Sequence, residues 1–182
     1  MMQKLTDADL GTLRWTRTGA AHSYQLSSGP DPIATLHWAK AYGTLATAES
    51  LGARWTLKRS GFLNPVVTVR DATSGKDLAA LHVHLKTNLL QLPGGATYRW
   101  SRTGFWVPSW HFEDPAGIEL VNFEAVRAVA HLEGGLIVVS PAGRSCPDLL
   151  LLLVLGWYFI FQSWIEDEAA AASVAVLSAA SG

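Results

Sequence analysis

Four histidines could bind a divalent metal, because imidazole is a common ligand of such ions. His82 and His84 are two residues apart and would share one face of a strand, and His37 and His111 would lie on the same outer surface. The alternation of apolar and polar residues also explains all four as ordinary solvent-facing side chains. One histidine pair without further ligands is a weak signal. We therefore favour the surface interpretation and predict no metal site.

A second group of residues could bind an anion. Basic side chains that lie on one surface attract anionic lipid headgroups. The alternative is a mixed, solvated surface, since Asp and Glu are interspersed along the same segments. The tentative ligand surface consists of Lys58, Arg59, Arg70, Arg99 and Arg102.

Catalytic chemistry has little support in the sequence. The single cysteine, Cys146, excludes an internal disulfide and a Cys-based zinc site, and it has no histidine nearby in the sequence. The acidic turn Asp71–Asp77 lacks the calcium pattern of an EF-hand. Neither a G-x-S-x-G motif, a P-loop, a dinucleotide fingerprint nor an H-E-x-x-H motif is found. We predict no cofactor and no catalytic residue, and the sequence favours a protein without enzymatic activity.

The strongest structural signal is the apolar run Leu149–Phe161, which is 13 residues long. Ser145, Pro147 and Asp148 provide a helix start before it, so we predict a helix over residues 147–165. A helix that is apolar all round must be covered by lipid or by its own protein. About 20 apolar residues span a membrane, whereas about 10–14 are typical of a buried core helix. We favour a buried helix, and a transmembrane helix over Leu149–Ile165 is the alternative.

The chain before this helix contains an internal repeat. An Arg-Trp-Thr/Ser motif recurs at Trp15, Trp55 and Trp100, with spacings of 40 and 45 residues. Period-2 alternation in a strand lets all three tryptophans face the same way. Each copy is predicted to hold about four antiparallel strands. The copies span residues 12–52, 53–95 and 96–135, and a last strand follows over residues 136–140.

Glycine turns are predicted to close each copy. They lie at Gly52, Gly94–Gly95 and Gly134–Gly135, and the fourth strand of the third copy is placed at about Val126–Leu132. Short strands between turn signals at this spacing indicate a sandwich or a barrel.

The predicted fold is mainly β, a closed antiparallel barrel of about twelve strands around a central C-terminal hydrophobic α-helix. Closure removes exposed strand edges. A barrel this wide cannot be filled by its own side chains, and an apolar helix about 25 Å long would fill it. We predict a single domain over residues 1–182. Its Ala-rich tail, residues 166–182, opens with Glu166–Glu168, which suit the start of a second short helix.

This pattern resembles the tubby C-terminal-like superfamily, which includes tubby domains, phospholipid scramblases and LURP-one-related proteins. The resemblance is carried by the repeated strands over Gly61–Leu81 and Gly104–Phe123 and by the helix Leu149–Ile165, and it covers about Leu13–Ile165. Tubby domains bind phosphoinositides and scramblases act on bilayers, so the resemblance implies a role at membranes.

The overall charge narrows the choice of partners. A formal net charge of -1 disfavours a broad electrostatic surface for nucleic acid. Residues 1–10 contain no apolar signal region, which favours a cytoplasmic protein with peripheral membrane contact. We predict a non-enzymatic binding module whose partner is an anionic lipid headgroup or a protein. The alternative is an integral or tail-anchored membrane protein that inserts its C-terminal helix.

Overall fold

The computed structural model describes residues 10, 12–19, 22–40, 43–50, 52–61, 65–82, 88–104, 108–128 and 131–180, and the side chains up to residue 173. These residues form twelve strands and two helices. The strands are β1 (Leu13–Arg17), β2 (Ser23–Ser28), β3 (Asp31–Trp38), β4 (Leu45–Ser50), β5 (Ala53–Ser60), β6 (Val66–Asp71), β7 (Asp77–His82), β8 (Asn88–Gln91), β9 (Thr97–Thr103), β10 (Ser109–Glu113), β11 (Glu119–Arg127) and β12 (Leu132–Val139). The helices are α1 (Pro141–Arg144) and α2 (Leu149–Ala180).

The twelve strands form a closed antiparallel barrel, which confirms the predicted fold class. Each strand pairs with its neighbours in the sequence, and β1 closes the ring against β12 with Leu13 opposite Ile137 and Trp15 opposite Gly135. Strand residues alternate between the interior and the outer surface, as the period-2 pattern requires. Trp15, Trp55 and Trp100 all lie in the core, so the prediction that they face the same way is confirmed.

The first half of α2 fills the barrel. Every residue from Leu149 to Phe161 that carries a side chain is buried, which confirms the predicted central helix. Aromatic rings of the helix pack on those of the wall: Trp157 stacks on Trp15 and Tyr158 stacks on Trp38, each with 5.9 Å between ring centroids. An all-round apolar helix is thus covered by strands on every side.

Hydrogen bonds fix the direction of α2 through the barrel. At one end, which we call the entry mouth, the Tyr98 hydroxyl donates to Asp148 just before the helix begins. At the other end, the exit mouth, the Tyr158 hydroxyl donates to the Thr44 carbonyl and the Gln162 amide donates to the Gly43 carbonyl. These bonds pin the helix to the wall at both mouths.

The helix differs from the prediction in both of its bounds. It begins at Leu149, because Ser145 ends the short helix α1 and is not the first cap of α2. It then continues as one 32-residue helix to Ala180, so the expected end at residue 165 and the expected second helix were wrong. Ala and Glu are strong helix formers, and neither Gly nor Pro lies between Gly156 and Ala180 to stop it. At about 1.5 Å per residue, α2 is about 48 Å long and extends well beyond the exit mouth.

The last part of the barrel also differs from the prediction. Gly134 and Gly135 lie inside β12 and do not form a turn, so residues 136–140 are not a separate strand and Val126–Leu132 is divided between β11 and β12. A Cβ atom on Gly134 would lie 2.1 Å from the Trp15 carbonyl oxygen, and one on Gly135 would lie 2.7 Å from the Trp157 ring. Glycine is needed here because neighbouring groups approach the backbone too closely for any side chain.

The helix has the length and composition of a membrane span as well as those of a core helix. The segment Leu149–Ser173 is 25 residues long with a mean hydropathy of 1.7 over its most apolar window, and 78% of that window is buried inside the barrel. The protein therefore already covers most of the apolar surface that a bilayer would cover.

Candidate ligand site at the barrel mouth

Arginines at inward-facing positions surround the exit mouth. Odd-numbered strands end there, because every neighbouring pair is antiparallel. Arg59 lies four residues after Trp55 in β5, and Arg102 lies two residues after Trp100 in β9, so the even spacing places each arginine on the interior face at the rim. The rim thus joins an apolar interior to cationic side chains.

A half-open cavity of about 200 Å³ lies beside α2 at this mouth. Arg59 and Arg102 both line it, and Trp100, Trp110 and Phe159 form its aromatic wall. Ligand sites are commonly apolar concavities with a few polar groups that fix the orientation of the ligand. The composition of this cavity fits an amphiphilic anion, although its volume accommodates only a small group.

Arg102 is available to a ligand. Its guanidinium carbon lies 5.5 Å from the centroid of the Trp110 ring, which holds the side chain in a cation–π contact. It forms no ion pair with any residue in the described part of the chain. A guanidinium presents five N–H donors that match a carboxylate or phosphate. Arg102 is exposed at the edge of the cavity.

Arg59, by contrast, already holds a carboxylate. It forms an ion pair with Glu166 of α2, at the position where the helix leaves the barrel. One residue further, Asp167 pairs with Arg127 of β11 at 3.4 Å. Two of the acidic residues that suggested a helix start, Glu166 and Asp167, therefore bind the rim from within a continuous helix.

The five basic residues predicted to form the ligand surface separate into two groups. Arg59 and Arg102 meet at the cavity, and Lys58 lies beside them on the outer face of β5. Arg70 pairs with Asp77 at 2.6 Å towards the entry mouth, and Arg99 pairs with Glu113 at 3.0 Å. The structure therefore does not bring all five onto one surface.

Two further arginines were missed by the sequence analysis. Arg17 ends β1 two residues after Trp15, and Arg127 ends β11, so both reach the same rim. Arg17 carries the same signal as Arg102: an arginine at an even spacing after an inward-facing tryptophan, close to the end of the strand. Arg127 has no such local signal.

Among the described residues, the candidate histidines His37, His82 and His111 do not form a metal-binding group. His37 is exposed and its Nδ1 lies 2.6 Å from the Ser23 hydroxyl oxygen, and His82 is exposed on β7. His84 lies outside the described residues. His111 is only 7% exposed, contrary to the prediction, and its Nε2 lies 3.2 Å from a carboxylate oxygen of Glu113. Within the described ranges, no three His, Cys, Asp or Glu side chains are grouped to hold a metal ion.

Cys146 lies in a small hydrogen-bonded cluster at the entry mouth. Its thiol is buried and lies 3.5 Å from the Tyr98 hydroxyl oxygen, and that hydroxyl donates to Asp148 Oδ2 at 2.7 Å. Burial raises the pKa of the Cys146 thiol and the pKa of Tyr98. Both groups stay protonated near neutral pH, so this cluster favours a structural role over nucleophilic chemistry.

Comparison with known proteins gives no relative. No protein-family model matches the chain, and neither a curated protein nor a solved structure is significantly similar to it. The site geometry therefore carries the functional argument.

Proposed function

We propose that this protein is a non-enzymatic binding module that takes an anionic lipid headgroup at the exit mouth of its barrel. In this proposal the protein is cytoplasmic and contacts the membrane peripherally. The observation that carries it is the convergence of Arg59 and Arg102 on one cavity with an aromatic wall.

The chemistry of the cavity supports an anion with an apolar part. Arginine pairs with phosphate and carboxylate oxygens through parallel N–H donors, and such charge-assisted bonds are stronger than neutral ones. The rings of Trp100, Trp110 and Phe159 line the same cavity as the two guanidiniums, and Arg102 lies over the Trp110 ring. A lipid headgroup presents both kinds of group at a membrane surface.

The outer edge of the same mouth supports an orientation towards a bilayer. Leu45 is 45% exposed at the start of β4, beside Lys58 on the neighbouring strand, and Val126 is 52% exposed at the end of β11. Apolar side chains next to cations suit the boundary between acyl chains and anionic headgroups. The extension of α2 leaves the barrel from this end.

The internal repeat and the family resemblance point in the same direction. If the three copies are related, Arg17, Arg59 and Arg102 occupy equivalent positions after Trp15, Trp55 and Trp100. A cationic ring would then be a repeated property of the fold. The resemblance to tubby-like proteins and scramblases also implies action at membranes.

A vesicle co-sedimentation assay tests the proposal. The protein is mixed with vesicles of phosphatidylcholine alone or with about 20% phosphatidylserine, and the bound fraction is measured at low and physiological salt. We expect binding only to the anionic vesicles. The double variant Arg59→Gln/Arg102→Gln should bind about 30-fold more weakly, because each basic side chain near an anionic surface contributes about 1 kcal/mol.

The matched control is Arg70→Gln/Arg99→Gln, which removes the same charge away from the mouth. It should bind nearly as well as the unaltered protein. Equal losses in the two double variants would show that only the net charge matters, and no binding to any anionic vesicle would exclude the lipid proposal. A protein partner at the same mouth would then be the remaining binding-module hypothesis.

The second candidate function is that of an integral or tail-anchored membrane protein. The length and hydropathy of Leu149–Ser173 favour it. Ultracentrifugation after expression without detergent separates the two candidates, with a version truncated before Asp148 as the comparison. Soluble full-length protein and an aggregated truncation indicate a core helix. Full-length protein in the membrane pellet and a soluble, folded truncation indicate an anchor.

A further inference from the structure

Glu166 occupies a particular place in the candidate site. Its carboxylate lines the same cavity as Arg59 and Arg102, and it pairs with Arg59. A carboxylate offers an arginine the same oxygen pair that an anionic ligand would offer. One of the two guanidiniums of the site is therefore already engaged by the protein's own chain.

We propose that Glu166 is a built-in competitor that holds the anion position on Arg59, so that a ligand's anionic group must displace it and thereby releases α2 from that part of the rim. The inference rests on the proposed function, because it assigns regulation to the same site. The contact that is released is the one between α2 and Arg59 of β5.

The geometry of α2 makes this competition effective but reversible. Glu166 is covalently attached to a helix that is fixed in the barrel by Tyr158 and Gln162, so its local concentration at Arg59 is high. The ion pair is partly exposed to solvent, and exposed pairs are individually weak. A ligand that also reaches Arg102 and the aromatic wall makes contacts that Glu166 does not make.

The second ion pair, Asp167 with Arg127, limits what is released. Asp167 lies next to Glu166 in the helix but contacts the opposite side of the mouth, at β11. Displacement of Glu166 alone leaves this contact in place. The helix extension would therefore tilt away from Arg59 while it remains attached near Arg127.

The test compares Glu166→Gln with Glu168→Gln in the full chain. The two variants remove one negative charge each, two residues apart on the same helix, and Glu168 forms no ion pair with a residue in the described part of the chain. Binding is measured with the phosphatidylserine vesicles described above. We expect Glu166→Gln to bind about threefold more tightly than Glu168→Gln, a factor typical of the loss of one exposed ion pair.

The gain must depend on Arg59. In an Arg59→Gln background the two glutamate variants should bind equally, because the competitor no longer has a partner. A urea-unfolding cycle on the protein without vesicles should likewise show coupling between Arg59 and Glu166 and none between Arg59 and Glu168.

Each outcome separates the two proposals. Equal binding by Glu166→Gln and Glu168→Gln overturns the competitor and leaves the lipid proposal standing. Absence of coupling in the urea cycle overturns the competitor whatever the vesicles show. If coupling is present and no variant binds anionic vesicles, the proposed function fails, and the inference that rests on it fails with it.

Discussion

Gly156 lies in the buried first half of α2, where the helix backbone closely approaches Phe123 of the barrel wall. A Cβ atom at this position would lie 2.3 Å from Cζ of Phe123, with two further ring carbons at 2.7 and 2.9 Å. The Phe123 ring is fully buried and packs against Trp100, with 5.7 Å between centroids. The substitution Gly156→Ala therefore sets helix propensity against packing.

The two effects have opposite signs and different sizes. Alanine is about 1 kcal/mol more favourable than glycine inside a helix. An extra methyl group in a well-packed core costs about 1–3 kcal/mol. Three ring carbons within 2.9 Å of the new atom, and a ring that cannot move without displacing Trp100, place the cost near the upper limit. We expect a net loss of about 2 kcal/mol in the free energy of unfolding.

Urea unfolding followed by tryptophan fluorescence measures this loss. For a urea dependence of about 2 kcal/mol per M, the midpoint should fall by about 1 M. In a Phe123→Leu background, which removes the obstructing ring, Gly156→Ala should be neutral or stabilising. A single variant that is more stable than the unaltered protein would show that the wall yields around the helix, and the account of a tightly filled barrel would be wrong.

Three further predictions concern the seam, a buried phenol and the thiol. Gly134→Ala should lower the free energy of unfolding by about 3 kcal/mol, because the new Cβ atom would lie 2.1 Å from the Trp15 carbonyl oxygen where β1 closes on β12. Gly94→Ala is the control in the same urea assay, because its Cβ atom would meet nothing within 4 Å. Burial raises the pKa of Tyr24 to about 12, above its unfolded value of about 10. The contribution of this tyrosine to stability is therefore complete below pH 10 and is lost as the pH rises towards 12. Tyr24→Phe should reduce that alkaline loss of stability by about 2 kcal/mol, and an unchanged pH profile would contradict the assignment. Cys146, buried and with a raised pKa, should react with an aromatic disulfide reagent at pH 8 at least about tenfold more slowly in the folded protein than in urea, and equal rates would show that the entry mouth is open.

The barrel could be predicted because its determinants are local. Strand alternation around Trp15, Trp55 and Trp100 identifies which face is buried, and the run Leu149–Phe161 identifies a helix that must be covered. Together they require a ring of strands too wide to fill itself. The length of α2 was missed because Glu166–Glu168 were interpreted as a helix start, whereas Glu166 and Asp167 pair with arginines from distant strands.

The glycine pair in β12 shows what local sequence cannot reveal. Two adjacent glycines usually indicate a turn, since both tolerate unusual backbone conformations. Here glycine is required because any side chain would collide with the Trp15 backbone or the Trp157 ring, which lie more than 20 residues away in the chain on either side. Only the closed barrel brings those groups together.

The candidate site was predicted only in part for a related reason. Arg59 and Arg102 were among the expected ligand residues, and their even spacing after Trp55 and Trp100 predicts that they face inwards, but it does not show which basic residues meet at one cavity. The distinction depends on which mouth each strand end reaches and on which carboxylate lies nearby. Strand register and the position of α2 determine both, and these are properties of the assembled barrel.

The order of elements along the chain has a consequence for synthesis in the cell. The strands precede α2, so the nascent chain presents the inward-facing residues of all twelve strands before the segment that fills the space between them has been made. The pairing of β1 with β12 is also among the last to become possible, and such long-range contacts form slowly. We expect the unfinished barrel to expose aggregation-prone apolar surface during translation and to depend on chaperones until Leu149–Phe161 emerges.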